Sequence, residues 1–470
     1  MATNVARLVG LDGRPLRPVP TAQYDAATRS RRTAGWNARS TAADTEIAPS
    51  LTTLRDRHRD LARNNPWARR AIQAIVNNWI GPGIQAQWTD PGVQSLWRAW
   101  FETTAVDADG RSHGYGLQSL IVRAIVEAGE CLVRRRPRRP QDTATVPLQL
   151  QVLEPDYLDH RKTNTLPNGG WITSGVEFDP IGRRVAYWLF KSHPGDVSAR
   201  GNGASVRYDA ADFLHCYRLD RPGQVRGVPW GTGAMLRLRM LDDYADAQLE
   251  RQRLAACYMA FVRDSDMPPD LGGEVNLVEK MEPGAIEFLP PGKDISFANP
   301  PQPEDDQAFK LQILQSIAAD YGLPYETLTG DLSQVNFSSA RMGWNEFGRN
   351  IQDWRWNLLA PQFLTPLVGW FAEAAALVGV DTRGALPLWS APARVMVDEA
   401  REVPAIRDKV RAGLISLPEA IRQQGYDPST LIEEQAAFLA QLDALGIKLD
   451  TDPRADKGRT ADATAQAVAP

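Results

Sequence analysis

Five histidines, three cysteines, a glycine-rich turn and a pair of aspartates are the residues of this chain with the most chemistry to offer. His58, His113, His160, His193 and His215 fall on separate expected elements, none with a second histidine or a cysteine at metal-ligand spacing. Cys131, Cys216 and Cys257 are far apart and odd in number. That excludes a disulfide framework and a cysteine-rich zinc site, and fits a reducing compartment. The turn RGVPWGTG at 226–233 stands before a helical pattern, where phosphate loops occur, yet no Lys-Ser/Thr follows it. A tight turn with a helix start is the better reading. Asp107, Asp109 and Gly110 begin like a calcium loop but lack its downstream ligands, so they read as a turn. No GxSxG elbow is present. Asn336 and Ser338 match a glycosylation sequon by accident, since no signal peptide is expected. No catalytic residue, metal or cofactor is assigned.

A different kind of site lies between 303 and 356. Glu304, Asp305 and Asp306 open a helix whose Phe309, Ile313 and Ile317 recur at four-residue spacing. Gly322 and Pro324 stop it, since glycine accepts a left-handed cap and proline cannot continue a helix. A polar loop follows at 329–339, then a helix capped near Ser338 and Ser339. That helix carries Ala340, Trp344, Phe347, Ile351, Trp354 and Leu358 as an apolar seam. Capping explains the two serines. It does not explain why Asp331, Ser333, Gln334 and Asn336 all offer hydrogen-bonding groups beside Val335 and Phe337. Two helices flanking such a loop form a device that presents it to something.

Length and charge set the frame. At 470 residues the chain exceeds one core and should divide into two to four units. A formal net charge of −4 gives no reason to expect tight nonspecific nucleic-acid binding. No run approaches the ~18 apolar residues of a membrane span, and the N-terminus lacks a secretory core. A soluble cytoplasmic protein is the default.

Taken in order, residues 1–50 read as an extended arm that orders only against a neighbour. A helix begins at Pro66, capped by Asn64 or Asn65, with Ala68, Ile72, Ile75, Val76 and Trp79 buried and the Gly81 to Gly83 turn ending it. Helices are expected at 92–102 and 116–129, then strands at 147–153, 175–179, 184–190 and 213–217. Five arginines between 134 and 139 sit at a strand end and turn; they would be solvated, or meet DNA phosphates or an acidic neighbour. The helix from 234 to about 261 carries Leu238, Leu241, Ala245 and Leu254 on a thin apolar side and many acids opposite. Such a helix needs neighbours on both flanks, which identical copies in a ring would supply. Residues 264–302 are rich in Pro and Gly, with two short strands at 275–280 and 285–289. Pro361 and Pro366 break the tryptophan-rich helix, an apolar helix follows at 363–378, and 398–446 is helical again. The tail from 450 should be disordered.

Three stretches carry a resemblance. The seventeen-residue run YETLTGDLSQVNFSSAR (325–341), the segment RNNPWARR (63–70) with the following Gly-x-Gly-Ile, and GVEFDPIGRRVAY (175–187) are similar to motifs of the lambda-type bacteriophage portal proteins. The resemblance covers roughly 50–450 and implies an α+β portal-type fold. Its parts would be an N-terminal arm (1–50), an α/β wing (51–235), a first stem helix (236–262), a clip (263–302), a second stem helix (303–325), a tunnel loop (326–340), wing helices (341–396), a helical crown (397–449) and a disordered tail (450–470). Leu238, Leu241, Phe309, Ile313 and Ile317 would pack the stem. Trp344, Phe347, Ile351 and Trp354 would pack the long wing helix. Asp331, Ser333, Gln334, Val335, Asn336 and Phe337 would face a DNA channel, where neutral polar groups touch phosphates weakly and let them slide, while a ring of Lys or Arg would hold them.

The resemblance further implies a homo-oligomeric ring, a dodecamer in the family, at one capsid vertex. Double-stranded DNA would cross it during packaging and ejection. The partners would be the terminase large subunit, the major capsid protein and scaffold, and a head-completion or adaptor protein, with no membrane. The chain would be a virion component built in the host cytoplasm, not an enzyme. Two other readings stand beside this one: a head–tail connector without a DNA channel, and a hydrolase whose site the motifs do not reveal.

Overall fold

Asn65 stands between the first two long helices and shows how closely local chemistry sets this fold. Its side chain accepts the Ala68 N–H at 2.9 Å, capping one helix, while its amide donates to both carboxylate oxygens of Asp242 at 2.9 Å. Sequence-local capping and a long-range tie are thus made by one buried residue. The structure, a computed structural model, describes residues 27, 31–143, 145–197, 203–256, 260–264, 293–297, 306–333, 337–393, 398–449, 452 and 454. The chain divides into two units, Met1–Ala42 and Ala43–Pro470. In the first, Trp36 N–H closes a turn on the Thr33 carbonyl at 3.1 Å.

The second unit opens with α1 (Ala43–Ile47), so the stretch expected as extended through residue 50 ends in a helix. Asp44 fixes it there by accepting the Val225 N–H at 2.9 Å. Next come α2 (Leu51–Asn64), α3 (Pro66–Trp79), β1 (Gln85–Gln87), α4 (Pro91–Phe101) and α5 (Gly114–Ala128). Between the last two, the Asp107 carboxylate accepts the N–H groups of Asp109, Arg111 and Ser112 at 2.9–3.1 Å. The would-be calcium loop is a side-chain-capped turn.

The following eight strands form two antiparallel sheets. They are β2 (Glu130–Pro137), β3 (Leu148–Leu153), β4 (Asn164–Thr165), β5 (Trp171–Thr173), β6 (Val176–Phe178), β7 (Arg184–Leu189), β8 (Val206–Asp209) and β9 (Phe213–Tyr217). One sheet has the order β3-β2-β9 and the other is the meander β4-β5-β6-β7-β8. Every described strand pairing is antiparallel, so the expected α/β wing is of the α+β kind. Cys131 and Cys216 lie opposite each other across β2 and β9, both buried and both free thiols.

The two helices expected to form a stem follow. Helix α6 (Met235–Ala256) ends earlier than the expected 262, because β10 (Ala260–Asp264) pairs with β11 (Lys293–Phe297) as an antiparallel ribbon. The strands expected at 275–280 and 285–289 lie outside the described residues. Helix α7 (Asp306–Tyr321) ends before the expected 325, residues 303–305 lying outside the described part, and α8 (Tyr325–Thr329) takes residues assigned to the loop. Then α9 (Phe337–Asp353) runs into a π-helical stretch, Trp354–Leu364, and on into α10 (Thr365–Leu377).

Pro361 and Pro366 therefore do not break the path. The wider turn relaxes the clash a proline ring makes with the carbonyl four residues back, and Pro366 sits in the first turn of α10, where its missing N–H costs nothing. The π-helical stretch also closes the edge of β9: the Gln362 side chain accepts the Tyr217 N–H at 2.8 Å and donates to its carbonyl at 3.0 Å. Unexpected from the sequence, β12 (Leu388–Ser390) pairs with β1 across 300 residues of chain. Helices α11 (Glu399–Arg411), α12 (Leu417–Gln423) and α13 (Pro428–Ala444) complete the described part. No described helix is long and apolar enough to cross a membrane.

Two apolar clusters hold these layers. The larger gathers α3, α4, α5, the base of α6 and α7, and the α9–α10 path around Trp79, Trp97, Trp100 and Phe371. The smaller lies between the two sheets, around Leu132, Phe178, Leu189 and Phe213. Between the clusters sits Glu130, fully buried. Its carboxylate takes two bonds from Arg226 Nε at 3.0 Å, one from Arg226 Nη2 at 2.6 Å and one from Arg55 at 3.0 Å. His215 Nε2 at 2.9 Å and the Gly227 N–H at 2.9 Å complete the shell. Burial alone would raise the Glu130 carboxyl, but Arg226 and His215 outweigh it and hold the group well below the usual carboxylate range. Burial lowers His215 to about 4 despite Glu130. Its Nδ1 faces an Arg184 guanidinium N–H at 3.1 Å, the arrangement of a neutral ring donating through Nε2.

Two outcomes follow from this carboxylate. Glu130→Gln strands Arg226 in the interior and leaves Arg55 with Asp156 alone, and should cost roughly 3–5 kcal/mol in denaturant unfolding. Between pH 6.5 and about 4 the unfolded chain takes up a proton that folded His215 refuses. Stability should therefore fall as pH drops through that window, with Glu130 adding to the loss further down. A denaturation midpoint that is flat across the window would contradict the buried neutral histidine.

Candidate functional site

The loop singled out by sequence is carried by a joint at the base of the α6–α7 pair. Tyr321, the last residue of α7, places its hydroxyl 2.6 Å from His58 Nε2, and the rings stack at 5.9 Å. His58 Nδ1 lies 2.6 Å from the Glu127 carbonyl and must donate to it, which leaves Nε2 to accept from tyrosine. Burial lowers the His58 pKa, in keeping with that neutral form. One residue earlier, Asp320 accepts the Ala234 N–H at 2.8 Å. The end of α7 thus caps the start of α6.

This geometry accounts for the glycine-rich turn. A Cβ on Gly231 would stand 2.2 Å from the Tyr321 hydroxyl, and one on Gly233 would stand 2.3 Å from the Asp320 carboxylate. The glycines let a tyrosine and an aspartate come close, and the N-terminus that a phosphate would occupy already holds a carboxylate. Sequence reading excluded the phosphate loop for want of a lysine. It had no signal for Asp320, 86 positions away from its partner.

Beyond the joint, Gly322 takes a φ of +69° and turns the chain toward α8. Leu328 anchors α8 in the core, and Gly330 ends it. The loop residues that follow are exposed. Asp331 accepts the Ser333 N–H at 3.0 Å, and hydrogen bonds from Ser333 hold its carboxyl below the usual range. These two residues spend part of their polar capacity on each other. Leu332, passed over in the sequence, is 68 % exposed between them. Gln334, Val335 and Asn336 lie outside the described residues, and Phe337 opens α9.

The seam of α9 divides. Phe347, Ile351, Trp354 and Leu358 are buried, and Trp354 meets Trp79 at 5.6 Å and Trp230 at 4.7 Å. Trp344 is 40 % exposed and touches this cluster only through the edge of Phe347 at 6.1 Å. Its placement in the buried seam is corrected: Arg341, Met342, Asn345 and Glu346 around it are exposed as well. Arg355, missed by sequence reading, donates to the carbonyls of Trp79 at 2.7 Å and Asn78 at 2.9 Å, capping the end of α3. Burial pushes its guanidinium down to about 10.

The residues expected to pack the stem divide likewise. Leu238, Leu241 and Ile317 are buried and Ile313 is partly so, all at the base of α6 and α7. Phe309, expected in the packing stripe, is 48 % exposed and meets the Tyr244 ring at 5.3 Å. The histidines remain dispersed, except that His193 comes within 3.0 Å of Glu154 and 3.9 Å of Asp156. The Arg59 guanidinium sits 3.2 Å and 2.6 Å from the same carboxylates and already supplies the positive charge there.

Trp354→Ala should lower unfolding free energy by about 3–5 kcal/mol, the cost of emptying a large aromatic site. Trp344→Ala should cost far less in an isolated subunit, within about 1 kcal/mol. Equal losses in a thermal unfolding series would contradict the division of the seam.

Similarity to known proteins follows the same elements. Residues 29–355 match the family "Phage portal protein, lambda family". A probable portal protein of Halomonas phage phiHAP-1 is 25 % identical, over 92 % of this chain and 88 % of its own length. Portal protein B of Escherichia phage lambda is 22 % identical, over 88 % of each chain, and the portal protein of Escherichia phage N15 is also 22 % identical, over 88 % of each. Among solved structures, a chain from the neck of a native gene transfer agent particle, computed with C12 symmetry, is similar at a TM-score of 0.48. It has 16 % identity and covers 79 % of this chain and 94 % of that one. The family match spans well over half of the sequence, from before α1 into the π-helical stretch after α9, and the chain belongs to the lambda family of phage portal proteins.

Proposed function

We infer that the chain is the portal subunit of a tailed phage or prophage, a structural virion protein and not an enzyme, and that copies of it form a ring through which DNA enters and leaves the capsid. The observation that carries this is the family match, unbroken from residue 29 to 355. The geometry supports it. Past Leu241 the stem helices face solvent on most sides, with Ala245 and Leu249 exposed on α6 and Phe309 and Leu311 exposed on α7. A helix pair that packs on little but itself needs neighbours. Leu236, Met240, Met342 and Trp344 are further exposed apolar groups that an adjacent copy would cover.

The finer assignments extend this reading. Twelve copies would make the ring. The ribbon β10–β11 would belong to the clip, where the terminase large subunit docks, and α11 to α13 would form the crown. The major capsid protein and scaffold would contact the wing, and a head-completion protein would seal the vertex. Asp331, Ser333, Gln334, Val335, Asn336 and Phe337 would line the channel. Subunits of formal charge −4 sum to a negative wall that repels DNA and keeps it sliding.

Heads assembled without this chain should protect no DNA from nuclease in a packaging reaction, and heads assembled with it should. Replacing Asp331, Gln334 and Val335 by serine or glycine should leave assembly intact while lowering the DNA retained. Normal retention by that variant would remove the loop from the channel. Normal packaging without the chain would remove the chain from the vertex.

A further inference from the structure

Alternation along β2 separates its arginines into two populations. Arg135 points to one face and is saturated, with Asp212 at 2.7 Å and Glu373 at 2.8 Å. Arg134, Arg136 and Arg138 share the other face. Among the described residues, none of these three has a carboxylate within ion-pair distance. Arg136 meets the Gln151 amide oxygen at 3.4 Å, Arg138 meets that of Gln149 at 2.6 Å, and Arg134 lies 4.8 Å over the Tyr208 ring. Half-buried stems and neutral partners hold the guanidinium groups in place without neutralising them.

This face is where the two sheets part. Deeper in, Leu132, Leu153 and Phe213 pack against the meander. At the outer end a cleft of about 100 Å³ opens between Arg134 and Arg136 on one side and Tyr157, Leu189 and the exposed Lys191 on the other. We propose that this cleft and the arginine row continuing from it dock an extended acidic segment of a partner protein, one bearing carboxylates at every second residue. The spacing selects that form. Alternate residues of a strand stand about 6.7 Å apart, so carboxylates at i, i+2 and i+4 of an extended segment meet Arg134, Arg136 and Arg138 in register. Each guanidinium fork fits a carboxylate with two parallel bonds. The narrow cleft between two sheets admits a single extended chain and side chains of its alternate residues, whereas a DNA duplex is too wide to enter. The proposal does not depend on whether the assembled ring conducts DNA.

The test is fluorescence anisotropy with the full-length protein and three labelled probes: the peptide Ser-Glu-Ser-Glu-Ser-Glu-Ser, the same peptide with lysine for glutamate, and a short DNA duplex. The acidic peptide should bind saturably, weaken with salt, and lose about tenfold in affinity in the Arg136→Gln, Arg138→Gln double variant. Arg135→Gln, on the opposite face, should bind it as the parent does, and Arg136→Lys, combined with Arg138→Gln, should recover part of the loss. Circular dichroism melts confirm that each variant is folded. Failure of the parent to prefer the acidic peptide over the lysine peptide overturns the proposal. So does undiminished binding by the folded double variant, or displacement of the peptide by the duplex, which would make the row a nucleic-acid site.

Discussion

The Glu130 carboxylate is the interaction on which the rest of the described fold depends. Four chain segments converge on it: α2 through Arg55, β9 through His215, the turn before α6 through Arg226 and Gly227, and β2, which carries it. Two guanidinium groups meet at this carboxylate, and Arg55 also reaches Asp156 at 3.3 Å. Burial holds the His215 ring neutral beside them. A buried ionic cluster is weak evidence of net stability, but removing one member leaves the others unpaired, so it specifies one arrangement of segments. The Arg226 side chain also donates to the Ser174 carbonyl at 2.7 Å, extending that specification to the turn between β5 and β6.

From this cluster the support passes to α6 and α7. The turn that delivers Arg226 and Gly227 continues through Trp230, Gly231 and Gly233 into α6, and there it meets Asp320 and Tyr321 at the end of α7. Trp230 joins Trp79 and Trp354, so the α9 path rests on the same point. A loop between α8 and α9 is thereby held at both ends by buried residues, Leu328 before it and Phe347 after it, while the residues described between 330 and 333 stay exposed. That is what a rigid frame presenting a polar loop requires.

Much of this was legible, and the illegible parts have physical causes. Asn65 before Pro66 is a local signal with one structural solution, and α3 starts there. The four-and-three spacing of Trp344, Phe347, Ile351 and Trp354 gave the face of α9. Spacing cannot say where along a helix its covering partner ends, so Trp344 and Phe309 were placed in packing they lack within one subunit. Proline usually ends a helix, and only the π-helical widening, set by long-range docking of Gln362 on Tyr217, lets Pro361 continue one. Pairings such as Asp320 with Ala234 and β1 with β12 leave no trace in any local window. The family was recognised from three short runs, and the match over 29–355 bears that out.

A chain that leaves the outer faces of α6 and α7 and the α9 residues Met342 and Trp344 uncovered is built to be completed by copies of itself around a channel. Negative-stain electron microscopy of the purified full-length protein tests it most directly. The account predicts rings with a stain-filled central hole. A field of single-subunit particles that persists across protein concentrations and salts would contradict it.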